Sequence, residues 1–306
     1  MNKTEFFELI KEGVLASLRD NDPTLDGAIQ QVTKINNIVY HGLSLRSENN
    51  RVSPMIYLDD FFSRYSDNDL SIDDIIDRVA DLYKKNIVGA QDIDVSSITN
   101  YNMVKNRIVP AICNFGRSSE YLKSVPYEQY CDLAVYYRIL IDIAGGEGSI
   151  LVNSQLMDNW QISHDELKNQ AWKNLHEINP PSFSSMFDIL KEMMPGFDDS
   201  AYDAGADNCM HVLSSKSRVN GAIYIADTDV LNNIANELDA DILLLPASRH
   251  ELVILPYDMA SNPERWSEIA SMVTEINHNG TVSDEDFLAD SVYFFTRESG
   301  TVKKVA

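Results

Sequence analysis

Positive charge is scarce in this 306-residue chain: 25 lysines and arginines stand against 47 aspartates and glutamates, a net charge of -22. Proteins that grip a nucleic-acid backbone need clustered cations to neutralise phosphates, so direct nucleic-acid binding is not expected. Cysteines are few as well. Cys113, Cys131 and Cys209 are odd in number and share no metal-ligand spacing, which suits a reducing cytoplasm better than a disulfide framework. No run approaches the roughly 20 apolar residues of a membrane span. The opening MNKTEFFELIKEG also lacks the apolar core of a secretion signal, so neither membrane association nor export is expected. A phosphate loop is missing: Gly145-Gly146-Glu147-Gly148 has no Lys-Ser or Lys-Thr after it and reads as a hairpin turn. None of the six histidines pairs at the i, i+4 spacing of a helical zinc site. No metal and no cofactor is expected.

What is present is a core-forming composition, 44% hydrophobic, and an uneven charge. Residues 1–153 carry 15 basic and 22 acidic side chains, and residues 154–306 carry 10 and 25. Such acidity keeps a protein soluble and repels anionic surfaces. The densest acidic stretch, Asp59 to Asp81, is interrupted by Arg64 and Arg78, so no continuous phosphate-like stripe is legible.

Apolar spacing places an amphipathic helix at Thr4–Leu18, then strands at Ile29–Ile35, Ile38–Leu45 and Pro54–Leu58, with a turn at Asn36-Asn37. Ser71-Ile72-Asp73-Asp74 opens a capped helix, because a serine hydroxyl accepts from a free first-turn amide and acids favour the positive helix end. A similar order recurs at Leu133–Ile143, Ser149–Val152 and the cap Ser163-His164-Asp165-Glu166, as a repeated hairpin and capped helix. Ser182–Met194 reads as a short Met-rich helix. The acidic, basic-free stretch 196–208 reads as a linker or loop between a region spanning 1–195 and a unit spanning 209–306. In the latter, Met210–Ser214 and Ala222–Ala226 read as strands around an Asn220-Gly221 turn. Asp227 caps a helix, Asp241–Pro246 and Glu251–Pro256 are apolar strands, Pro263 starts another helix and Val292–Thr296 closes as a strand. The expected class is α+β, mainly antiparallel sheets with helices packed on them, and a C-terminal ββαββαβ unit.

Ser248, His250 and Glu251 are the tightest cluster of a hydroxyl, an imidazole and a carboxylate. Residues two apart on a strand share a face, so Ser248 and His250 could be neighbours, although nucleophilic catalysis also needs an orienting group and an oxyanion donor. Lys216, Arg218 and Asn220 could approach the same tip if the two turns are adjacent. Lys216, Arg218 and Arg249 would then form a basic spot for a small anionic ligand, with His250 beside them. The candidate ligand-binding residues are therefore Lys216, Arg218, Asn220, Ser248, Arg249, His250 and Glu251.

Several phrases in order carry a resemblance: Ile56-Tyr57-Leu58-Asp59-Asp60-Phe61, Asp94-Val95-Ser96-Ser97-Ile98-Thr99, Val104–Pro110, Asp132-Leu133-Ala134-Val135-Tyr136-Tyr137, Pro180-Pro181-Ser182-Phe183, Ser215–Ala222 and Leu245–Glu251. Together they resemble an uncharacterised domain-of-unknown-function family (number five-six-eight-eight) of gut Gram-positive bacteria. That resemblance implies a bacterial cytoplasmic protein, often carried near mobile genetic elements, and supplies no catalytic residue. Three functions follow as expectations. The first is a non-enzymatic binding or regulatory protein of a mobile element, whose partner is a protein or a small anionic ligand. The second is an enzyme working at the Ser248-His250-Glu251 tip. The third is an acidic DNA mimic that inhibits a basic protein.

Overall fold

A computed structural model describes residues 1–48, 53–90, 95–143, 146–194, 210–256 and 265–306. In chain order the elements are α1 (Lys3–Leu18), β1 (Asp26–Thr33), β2 (Val39–Arg46), β3 (Met55–Tyr57), α2 (Asp59–Ser66), α3 (Ile72–Ala90), α4 (Val95–Ile98) and α5 (Tyr101–Val104). Next come β4 (Ile108–Asn114), α6 (Ser119–Leu122), β5 (Tyr127–Tyr130), β6 (Leu133–Ile143), β7 (Gly146–Leu151), α7 (Ser154–Trp160) and α8 (His164–Ile178). The chain ends with β8 (Pro181–Ser185), α9 (Met186–Met193), β9 (His211–Ser215), α10 (Thr228–Glu237), β10 (Ile242–Pro246), β11 (Leu252–Pro256), α11 (Trp266–His278), β12 (Tyr293–Thr296) and β13 (Thr301–Lys304). The class is α+β, with antiparallel pairing between the strands.

Two compact units divide the chain: Met1–Val104 with Leu140–Ile150, and Lys105–Ile139 with Leu151–Ala306. In the first, β1, β2 and β3 form a three-stranded sheet. Phe6, Ile10 and Val14 of α1 and Ile75 and Val79 of α3 are fully buried in one cluster with Leu43 and Leu45 of β2. The Asn2 side chain and Glu5 cap α1 reciprocally, and Ser71 bonds the Asp74 amide at the start of α3. At the first residue of α2, Asp59 accepts from the His41 amide at 2.6 Å, from His41 Nδ1 at 3.0 Å and from Lys3 Nζ at 2.8 Å.

The second unit holds a six-stranded sheet ordered β13-β12-β10-β11-β9-β8, and β4, β6 and β5 pair in another. Alternation explains how the six-stranded sheet is covered on both faces. Ile242 and Leu244 of β10, Leu252 and Ile254 of β11, and Tyr293 and Phe295 of β12 join one core with Ile112, Val135 and Leu175. Leu243, Leu245, Leu255 and Phe294 join a second cluster with Trp266 and Ile269 of α11. A strand buried on both faces becomes a continuous apolar run, which is why Ile242–Leu245 shows no polar residue.

Three expectations change here. Ala222–Ala226 is not a strand: Gly221–Ala226 forms a 3-10 helix. Both edges of β9 are already taken, by β11 and by β8, so no hairpin partner can be added. Gly221 instead brings the chain so close to Ser214 and Ser215 that an added Cβ would lie 2.3 Å from the Ser215 amide nitrogen. Second, Ser182–Met194 is not one helix. Pro181–Ser185 pairs with β9, Phe183 stacks on His211 at 5.0 Å, and the Ser185 hydroxyl caps α9 through the Asp188 amide. Third, the C-terminal order is not ββαββαβ: the 3-10 helix replaces its second strand, and Thr301–Lys304 adds an edge strand, β13, beyond β12. Residues 196–208, expected as a linker, and Pro263 lie outside the described residues.

Candidate functional site

The antiparallel pair β10–β11 fixes one turn. Pro246 opposes Leu252, and the amides of Ala247 and Ser248 both donate to the Glu251 carbonyl, leaving Ser248-Arg249-His250-Glu251 at the tip. A second turn leaves the end of β9. There the Ser215 hydroxyl accepts from the Val219 amide at 3.2 Å and donates to the Val219 carbonyl at 2.9 Å. The Asn179 side chain brackets the same loop, accepting from the Ser217 amide at 2.9 Å and donating to the Val219 carbonyl at 3.3 Å. Held this way, Arg218 and Asn220 take φ values of 58° and 56°. Side chains other than glycine occupy that left-handed region at a cost.

The two turns meet at His250. The Asn220 amide donates to Nδ1 at 3.0 Å, so that nitrogen carries no proton. Nε2 then carries it and donates to Asp286 Oδ1 at 3.0 Å. Arg249 Nε donates to the same oxygen at 2.9 Å, the Arg249 amide donates to the Asp286 carbonyl at 2.8 Å, and the Ser283 hydroxyl donates to Oδ2 at 2.8 Å. The Ser214 hydroxyl closes the joint on the His250 carbonyl at 2.8 Å.

Of the residues singled out from sequence, Asn220, Arg249 and His250 are therefore brought together. Ser248 and Glu251 share the tip without touching the ring. The Ser248 hydroxyl accepts from the His250 amide at 3.0 Å, and both ring nitrogens are engaged by Asn220 and Asp286. A serine–histidine pair is not assembled. Nor are the three cations pooled: Arg218 pairs with Glu192 and Arg249 with Asp286, while Lys216 is exposed and has no ion pair among the described residues. Asn179, Ser214, Ser215, Ser283 and Asp286 escaped the sequence reading. Only Ser283-Asp284-Glu285-Asp286 offered a signal, as the serine of a cap three residues before an acid.

Burial pushes the Asp286 carboxyl up, but hydrogen bonds from Ser283, His250 and Arg249 and the Arg249 charge outweigh it and hold it below its ordinary 3.8. A depressed carboxyl contributes stability above its ordinary value and loses it as pH falls through the lower one. Urea unfolding between about pH 5 and pH 2 should therefore show a fall in stability that Asp286→Asn makes shallower. A variant with an unaltered acid limb would remove Asp286 from the joint's energetics.

An antiparallel α+β protein with a rigid polar joint at one sheet end is the class that fold and site define. The chain belongs to a family of unknown function (DUF5688), whose model matches residues 3–297. No curated protein and no solved structure matches it. Among the described residues no helix is long and apolar enough to cross a membrane, and no three His, Cys, Asp or Glu side chains gather as metal ligands.

Proposed function

We propose that the protein is a non-enzymatic binding or regulatory protein, acting in the bacterial cytoplasm, whose recognition element is the loop 216–220. The observation that carries this reading is the pair of left-handed residues, Arg218 and Asn220, held by Ser215, Asn179 and His250. Each strained residue costs on the order of 1–3 kcal/mol and persists only where its surroundings over-determine it. The arrangement displays Lys216, Ser217, Arg218 and Val219 to solvent in one fixed shape. Rigid loops on sheet ends are where recognition residues concentrate. The Arg218–Glu192 pair is exposed on both sides, so a partner's acid can displace Glu192 at little cost. The reading thus takes an acidic segment of a protein, or a small anion, as the partner, and a regulatory role in a mobile element follows from the resemblance above. Full engagement of His250 weighs against the enzyme reading, and the cations within the acidic 59–85 stretch weigh against the DNA mimic.

A photo-reactive residue at Val219, placed in the full chain inside its host, tests this by mass spectrometry of the cross-linked species. The double substitution Lys216→Glu and Arg218→Glu is expected to abolish that cross-link. It should change stability by less than about 0.5 kcal/mol per site, as exposed substitutions do. The same species captured in the same yield by the reversed loop would overturn the proposal.

A further inference from the structure

A second feature lies in the first unit and does not depend on the recognition loop. An open groove of about 390 Å³ runs beside α2 and α3, lined by Phe61, Arg64, Arg78, Asp81, Leu82 and Lys85. That volume falls within the roughly 300–1,000 Å³ of small-molecule sites. Arg78, Leu82 and Lys85 fall at i, i+4 and i+7 along α3, so helical geometry stacks them in one stripe. Phe61 packs against the unit's core and Leu82 is 38% exposed, which gives the groove an apolar floor.

Helix α3 is rich in aspartates, and ordinary i, i+4 pairing could have consumed these cations. It leaves Arg78 and Lys85 without a direct ionic contact among the described residues. Asp74, four residues before Arg78, is held in the helix cap, accepting from the Ser71 hydroxyl at 2.6 Å and the Ser71 amide at 3.2 Å, and acts on Arg78 only as a charge attraction beyond ion-pair distance. Asp81, four residues before Lys85, lies 3.3 Å from Lys84. Arg64 gives its Nε to Asp69 at 2.7 Å, and its guanidinium forms no other ion pair among the described residues. Arg78 and Lys85 make no ion pair among the described residues. In a chain with 47 acids to 25 cations, three cations beside an apolar floor run against the composition.

We infer that this groove binds a small anion with a flat apolar body, an aryl phosphate or aryl carboxylate. The guanidinium groups of Arg64 and Arg78 suit the planar, two-pronged recognition of such an anion, and Lys85 adds a point charge. Phe61 and Leu82 take the ring. Asp81 repels a second anionic group elsewhere on the ligand and can accept from a ring hydroxyl or amine, so a ligand with one anionic head fits. A nucleic-acid duplex does not fit, since its remaining phosphates would meet Asp60, Asp67, Asp69, Asp73 and Asp77.

Isothermal titration of the full chain with phenyl phosphate, inorganic phosphate and phenol tests the inference. Phenyl phosphate should bind saturably, one per chain, and each fragment should bind at least roughly tenfold more weakly, because head and ring contacts act together. Arg78→Ala with Lys85→Ala should weaken phenyl phosphate at least roughly tenfold, since charge-assisted contacts are the strong ones. Arg78→Lys with Lys85→Arg keeps both charges but moves the fork and should weaken binding less than the alanine pair does, and Lys123→Ala, exposed in the second unit, should leave it unchanged. Unchanged thermal unfolding of these surface variants shows that the fold is kept. No saturable binding up to about 10 mM, equal binding of phenol, or undiminished binding by the double alanine variant would each overturn the assignment.

Discussion

Gly221→Ala is expected to cost more than about 3 kcal/mol of stability, at or beyond the upper end of ordinary overpacking. The added Cβ would lie 2.3 Å from the Ser215 nitrogen and 2.5 Å from both the carbonyl carbon and the Cα of Ser214. These are backbone atoms of a central strand paired on both sides, so nothing can rotate away. Behind the glycine, Ala222, Ile223, Tyr224 and Ile225 are fully buried in the main core of the second unit, so a shift there would be transmitted to all four. Gly280→Ala is the control, with φ of 90° and no neighbour within 4 Å. It carries backbone strain without a clash and should cost only about 1 kcal/mol. Urea unfolding followed by tryptophan fluorescence measures both. A Gly221 loss no larger than that at Gly280 would mean that the close approach is not constraining.

Asp132→Ala should cost about 2–4 kcal/mol, because it strips the acceptor from a buried phenol. Asp132 sits in the two-residue turn between β5 and β6, where Cys131 takes a φ of 55°. Its carboxylate accepts from the Tyr293 hydroxyl at 2.5 Å, the Ser291 hydroxyl at 2.7 Å and Lys304 Nζ at 2.9 Å. Tyr293 is fully buried, and water cannot replace the lost acceptor. Burial pushes the Asp132 carboxyl up, yet Tyr293, Ser291 and Lys304 together hold it below 3.8, so its contribution too is present near neutrality and lost in acid. Asp132→Asn keeps one acceptor oxygen and should cost less. Lys304→Ala removes only the half-exposed arm and should cost under about 1 kcal/mol. If the three variants unfolded at the same urea concentration, the carboxylate would not be the joint described here.

Local chemistry made part of this fold legible. Ser71, Ser163 and Asp227 announced their helices because a capping side chain and the amides it satisfies lie within three residues. Ile242–Pro246 announced a buried strand because burial on both faces demands an unbroken apolar run. Ala222–Ala226 carries the same kind of run, and only the occupied edges of β9, set by distant residues, make it a 3-10 helix. Pro181–Ser185 has little strand character of its own and owes its conformation to β9. Thr301–Lys304 ends in two lysines, which suit an edge strand and leave no apolar alternation to read. At the candidate site both turns were legible, but their meeting at Asn220 and His250 was open in the sequence, because the sheet order that brings β9 beside β11 is set by distant residues. Asp286, which fixes the ring, lies 36 residues beyond His250, where no spacing rule reaches.

Asp132 precedes its partners Ser291, Tyr293 and Lys304 by 159, 161 and 172 residues. At ribosomal speeds of about 5–20 residues per second, its turn waits on the order of 10 s before any of them is made. Throughout that interval β4, β5 and β6 can pair locally while a carboxylate without its partners marks the place where β12 and β13 will dock. A chain released before residue 291 never fills that place, and it also lacks Tyr293 and Phe295 from the core. Quality control would thus find unfinished copies by their exposed apolar surface. The turn that joins β5 to β6 is completed by strands translated about 160 residues after it.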